Sequence, residues 1–304
     1  MNRHVRVLGS RSLVIAAVVA LSACGGSSGS STDTTEVVQT TEVVNDAPIY
    51  PLLGTPIEDQ AAASRPAMVV KIDNHPSARP QSGINQADII FEENVEKLTR
   101  YAAVFHSQGS DPVGPIRSGR FQDINLVGSL NKPLFVWSGG NEKVSAAIKD
   151  SDLVDLSYTV ANKDGGFARD SDRSAPHNLI AETTKLWTLA PEGSSGPQQQ
   201  FAYRSASDAN ASPSKDVAGV KVSMDGVKVQ WDWDKTTKEF LRIQDGTAVV
   251  DPDDVQLAVP NVVVLEVEYS NNYSPTSKTL GGGKAYVFTN GVVYEGTWSR
   301  ETRL

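Results

Sequence analysis

The 304-residue chain holds a single cysteine, Cys24, so it can build neither an internal disulfide nor a cysteine-ligated metal cluster. Once that sulfur is acylated, no thiol nucleophile is left. Its 4 histidines, His4, His75, His106 and His177, fall at no metal-ligand spacing, and the His-Glu-x-x-His pattern of zinc hydrolases is missing. No metal and no cofactor is expected. A Gly-x-Ser-x-Gly elbow between a strand and a helix is absent, and Gly281-Gly282-Gly283 lacks the strand-to-helix setting of a phosphate loop. Long apolar runs are scarce as well: residues 13–21 form an uninterrupted one, well short of the about 20 residues that a transmembrane helix needs.

That run is preceded by Arg3, Arg6 and Arg11 with no acid among them, the layout of a secretion signal. Leu21-Ser22-Ala23-Cys24 follows and resembles the lipobox of bacterial lipoproteins, in which the cysteine becomes diacylated and N-terminal. Residues 1–23 are therefore expected to be a lipoprotein signal peptide and Cys24 the lipidation site, palmitate included. The body is then held on the extracytoplasmic face of the cell membrane. An ordinary secreted protein with a chance cysteine is the plainer alternative. Removing the three signal arginines takes the formal net charge from −8 to −11, which argues against a nucleic-acid partner. Residues 24–48 contain no Lys or Arg and read as lipid anchor and flexible linker, spanning roughly 27 Å as a coil.

The remaining length exceeds the usual domain size of about 100–150 residues, so two domains are expected, at 49–190 and 200–304. In the first, strands at 67–72, 89–95, 100–106 and 134–137 interleave with helices at 118–130, 141–149 and 178–187. That alternation points to an α/β domain with a mixed sheet. A mostly β domain follows, with short alternating runs at 217–224, 227–233, 239–243, 262–269, 284–289 and 292–298. Asp225-Gly226, Asp245-Gly246 and Asn290-Gly291 between them are strong hairpin signals, because a type I′ turn needs positive φ at both central residues. The chain stops at Leu304, soon after the last of these runs, which leaves room for a missing closing strand.

Chemistry concentrates in the first domain. The loop 71–83 carries Asn74, Arg79 and Gln81 after a hydrophobic strand, where open α/β sheets place ligands, although Asp73 and Asn74 also suit a rigid turn. In 88–100, Glu92, Asn94 and Glu96 share a strand face; Glu92 and Glu96 lie too far apart along it for a simple local dyad unless the strand bends, in which case they could act as a carboxylate pair in glycoside hydrolysis. Salt bridges from Arg100, Arg117 or Arg120 are the bland alternative. Arg117-Ser118-Gly119-Arg120 precedes a helix, and Ser118 as N-cap between two guanidinium groups would form an anion site. His177, ahead of the third helix, is a candidate general base, alone or with Glu92.

Together these segments resemble the YerB-like family of bacterial lipoproteins, built from an N-terminal and a C-terminal domain of unknown function. The resemblance rests on Arg65-Pro66, Asp73-Asn74, Ala78-Arg79-Pro80-Gln81-Ser82-Gly83, Ala87-Asp88-Ile89, Glu92, Glu96, Thr99-Arg100, Gly114-Pro115-Ile116-Arg117-Ser118 with Arg120, Gly139-Gly140, Ala175-Pro176-His177-Asn178 and Asn290-Gly291 through Trp298. It covers residues 65–304. Lys97-Leu98 stand where the family usually carries two glycines, and the family continues beyond the position of Leu304. The resemblance implies an envelope lipoprotein. Two functions follow as expectations: a cell-wall binding or accessory protein that holds an anionic glycan, peptide or envelope protein through Asn74, Arg79, Gln81, Arg100, Arg117, Ser118 and Arg120; or a wall hydrolase using Glu92 with Glu96 or His177.

Overall fold

The computed structural model describes residues 2–5, 48–203, 212–213, 215–270 and 276–303. Cys24, the run at 13–21 and the linker up to residue 47 lie outside the described residues. Strand β1 is Asn2–Val5 and helix α1 is Gln60–Ser64, capped by Asp59, whose side chain accepts from the amides of Ala61 and Ala62. Then come β2 (Met68–Asp73), β3 (Ile89–Val95) and β4 (Leu98–Phe105), followed by α2 (Phe121–Leu126), β5 (Leu134–Trp137), α3 (Glu142–Lys149), β6 (Val154–Ser157) and α4 (Tyr158–Ala161). The short hairpin β7 (Phe167–Arg169) and β8 (Leu179–Ala181) and then α5 (Thr183–Trp187) end this half.

The second half is nearly all antiparallel strand: β9 (Lys215–Asp216), β10 (Gly219–Met224), β11 (Val227–Asp234), β12 (Glu239–Gln244), β13 (Thr247–Ala248), β14 (Ala258–Val259), β15 (Asn261–Glu266), β16 (Tyr269–Ser270), β17 (Thr276–Ser277), β18 (Gly281–Thr289) and β19 (Val292–Arg300). All three Asx-Gly pairs hold positive φ at both residues, as their hairpins demand. The mixed-sheet first half and β-rich second half are as the sequence pattern expects. Among the described residues, β6-β5-β2-β4-β3-β1-β15-β18-β19-β9 form one sheet that crosses from one half to the other, while β10 to β14 form a second.

Strand β2 is buried along its whole length because it lies between β4, antiparallel, and β5, parallel. Its polar residue Lys71 therefore needs internal partners. Glu93 and Asp123 supply them, the latter at 2.7 Å, and both ion-pair carboxylates are fully buried. One hydrophobic core joins residues of both halves, from Met68 and Tyr101 to Trp231, Phe240 and Phe288; a smaller one packs Phe135, Trp137, Val144 and Ile148 on the opposite side of the sheet.

Two expected helices change. The 118–130 helix shrinks to α2 plus a 3₁₀ turn, because Arg120 rather than Ser118 is its N-cap: the Arg120 amide donates to Asp123 Oδ2 at 2.6 Å. The 178–187 helix gives way to β8 and the short α5. Leu179–Ala181 pairs antiparallel with β7, and the amide–carbonyl pair between Val113 and Ala181 ties that strand to the loop beside it. The positions of Lys97-Leu98 also gain a physical reason. Glu96 and Lys97 have φ of 51° and 67°, forming the tight turn between β3 and β4, so a glycine at 97 would relieve backbone strain; Leu98 already belongs to β4.

Candidate functional site

Strands β2, β5 and β6 run parallel, and their carboxyl ends gather on one edge of the sheet, where α/β proteins place ligands. The 113–120 loop is laid across that edge by backbone bonds: Asp73 N–H to Pro115 O (2.9 Å), Arg117 N–H to Lys71 O (2.7 Å), and Ser138 N–H to Arg117 O (3.0 Å). Gly119 makes this path possible. A Cβ there would come within 2.9 Å of Ile148 and Trp137, so only a glycine passes so close to α3.

The result is an open cavity of about 500 Å³ whose wall includes Arg117, Arg120 and Arg169, with Ser118, Ser138 and Tyr158. Gly139, Gly140 and Asn141 also line it and lead into α3. Asn141 caps that helix by accepting from Val144 N–H at 3.0 Å, and the helix turns its partly positive end toward the cavity. Glu96, exposed at the β3–β4 turn, adds one carboxylate at the rim. Arg100 lies behind the wall, buried, donating from Nη1 to Ser118 O at 2.9 Å. Burial, then the neighbouring Arg120 charge, pulls its guanidinium down to about 10.

Asp73 organises the other side. Its Oδ2 pairs with Arg117 Nε at 3.0 Å and accepts from His177 Nδ1 at 2.7 Å, while Oδ1 accepts from His75 N–H at 3.0 Å. The His75 and His177 rings stack with centroids 4.3 Å apart. A carboxylate on Nδ1 orients the imidazole and leaves Nε2 as its basic nitrogen. Among the described residues no group of three or more His, Cys, Asp or Glu side chains is arranged to hold a metal ion.

Several residues singled out from sequence do their work elsewhere. Asn74 and Gln81 are fully buried and their amide nitrogens are committed: Asn74 Nδ2 donates to Thr99 Oγ1 (2.6 Å) and Gln244 Oε1 (2.8 Å), and Gln81 Nε2 donates to Asn74 Oδ1 and Asp73 O. Arg79 reaches Asn74 as well, through Nη2 to its carbonyl at 3.0 Å. Asn74 thus ties the loop to the second half through Gln244, while Arg79 and Gln81 brace Asn74 from within the loop. Glu92 is only 2% exposed; it accepts from Arg242 Nη2 and from Thr99 Oγ1, each at 2.7 Å. Its partner is thus Arg242, from the second half, in place of Arg100, Arg117 or Arg120, and Glu92 does not share the cavity that Glu96 borders. Sequence reasoning overlooked Arg169, Tyr158 and Arg242. Arg169 opens the polar stretch Arg169-Asp170-Ser171-Asp172-Arg173-Ser174 that leads to His177, and that clustering is the available signal; nothing local marks Arg242.

A family description, "Protein of unknown function (DUF3048) N-terminal domain", matches residues 52–195, and the corresponding C-terminal domain matches residues 220–303. The chain is 28% identical over 263 residues to a Bacillus subtilis (strain 168) protein named "Putative lipoprotein YerB", covering 82% of this chain and 77% of that one. The crystal structure of the YerB protein from Bacillus subtilis is similar in fold, with a TM-score of 0.70 at 24% identity, over 82% of this chain and 86% of that one. With both of its domains matched in order, the chain belongs to the DUF3048 family.

Proposed function

We propose that this protein is an extracytoplasmic, membrane-anchored lipoprotein whose arginine-lined cavity holds carboxylate or phosphate groups of a cell-wall polymer, peptide or envelope partner. The anchor rests on residues 13–24 and on the name of the Bacillus relative. The binding role rests on one observation: Arg117, Arg120 and Arg169 converge on a single open cavity in a chain whose net charge is −8. Guanidinium forks match oxyanions in bidentate fashion, and each charged hydrogen bond contributes about 1.5–3 kcal/mol.

The test is cosedimentation of mature protein with purified wall sacculi that retain their anionic polymers. Arg117→Ala with Arg120→Ala is expected to weaken retention at least about tenfold, and added salt to weaken it further. Equal retention of wild type and double variant removes the reading.

A second reading, wall hydrolysis with His177 as general base, is favoured by the 2.7 Å bond to Asp73. Its Glu92 versions lose support because that carboxylate is buried against Arg242. Incubation with purified wall checks it: no released fragments, or the same fragments from His177→Ala, rejects it.

A further inference from the structure

Strand β1 fills a gap one strand wide. Its backbone pairs on one side with Phe91 and Glu92 of β3 and on the other with Val263 to Glu266 of β15. These residues belong to the segment that the lipoprotein reading removes at Cys24. The mature chain would then present two facing strand edges about 9.6 Å apart, each with unpaired backbone groups. Against this gap lies an apolar cavity of about 280 Å³, whose wall includes Ile89, Phe91, Leu265, Phe201 and Trp298.

We propose that residues 37–44 of the mature chain take the place of β1 and complete the sheet; this rests on the maturation reading above. Residues 34–44 read Thr-Thr-Glu-Val-Val-Gln-Thr-Thr-Glu-Val-Val, rich in β-branched side chains that favour strands and free of glycine and proline. The Gly/Ser-rich stretch before them has the opposite character.

Geometry sets the direction. A strand running as β1 does ends opposite Phe91, close to the start of β3 at Ile89. The described chain resumes at that place. The Tyr50 ring packs edge-on against His106 at 6.2 Å, and His106 N–H donates to Asp88 Oδ2 at 2.5 Å, one residue before β3. Pro51 O accepts from Gln200 N–H at 3.2 Å, and Gln200 borders the apolar cavity. A strand ending at residue 44 leaves residues 45–48 to make the connection, a reach of up to about 14 Å. The free tether then contracts to residues 25–36, roughly 19 Å as a coil, and holds the body closer to the lipid surface.

The experiment uses lipidated protein purified in detergent. Mass spectrometry first establishes where the chain begins, and hydrogen–deuterium exchange then follows residues 25–33, 37–44 and 261–266. Amides of 37–44 are expected to exchange at least about 100-fold more slowly than those of 25–33. Val43→Pro is expected to abolish that protection and to expose 261–266, whereas Ser30→Pro changes neither. A chain beginning at Cys24 with 37–44 as fast as 25–33 overturns the strand alone. Protection of 261–266 that rises with protein concentration while 37–44 stays fast indicates a second copy in the gap and overturns it too. A chain that retains residues 2–5 with 37–44 fast overturns the strand and the maturation reading together.

Discussion

Arg242→Met is expected to be among the most damaging single changes in the molecule. The guanidinium is fully buried on β12, with its Nη2 on Glu92 Oε1 at 2.7 Å and on Gln244 Oε1 at 3.0 Å, and its carbon centre 5.1 Å over the Trp231 ring. Burial alone would pull its pKa down, but Glu92 and then Tyr101 outweigh that and raise it, so the group stays charged. Met fills similar volume, yet it strands the Glu92 carboxylate in a buried site, a loss of about 3–5 kcal/mol. At about 2–4 °C per kcal/mol for a protein of this class, Tm should fall by roughly 6–20 °C. Urea unfolding followed by tryptophan fluorescence measures the free energy directly. The companion variant Glu92→Leu with Arg242→Met removes both charges and should recover most of the loss, because apolar replacement of a buried pair is often neutral. A single variant losing less than about 1 kcal/mol, or a double variant as unstable as the single, would refute the claim that this pair clamps the two halves.

Other variants probe neighbouring groups. Asp123 is pushed up to about 7 by burial and by Glu93, above the ordinary carboxylate value near 4, so the folded state binds the extra proton. Its contribution is full below pH 4 and is lost as pH rises through 7; Asp123→Asn should flatten stability across that window in urea titrations at stepped pH. His106 is pushed down to about 4 by burial, so its contribution is present above pH 6.5 and lost as pH falls toward 4. His106→Gln should remove that acid sensitivity, read in the same titrations. Gly119→Ala forces a methyl group against Ile148 and Trp137 and should cost about 1–3 kcal/mol, with reduced wall retention because Arg117 and Arg120 flank it.

Local pattern carried the strands well. The largely apolar run of β2, the apolar–polar alternation of β10 and the three Asx-Gly turns each follow from rules that act within a few residues, whereas β12 buries Phe240, Arg242 and Gln244 in place of Leu241 and Ile243. The β3–β4 turn was illegible because Glu96-Lys97 adopt left-handed backbone without the usual glycine or asparagine. The 178–187 segment failed for a different reason: Leu179-Ile180-Ala181 suits either state, and pairing with β7 decides it. Within the cavity, Arg117, Ser118 and Arg120 were visible because they are adjacent in sequence. The fate of Glu92 and Asn74 depends on β12, 150 and 170 residues further along, and sequence proximity holds no trace of those contacts.

The core that unites Met68 and Tyr101 with Phe240 and Phe288 is reinforced at its margin by Asn85 on Asp251 and by Gln122 on Ser277. Such a seam resembles the inside of one globule more than the meeting of two modules. A protease that severed the backbone between the halves would therefore leave a nicked particle still in one piece, and either fragment made alone would expose a greasy face that water does not tolerate.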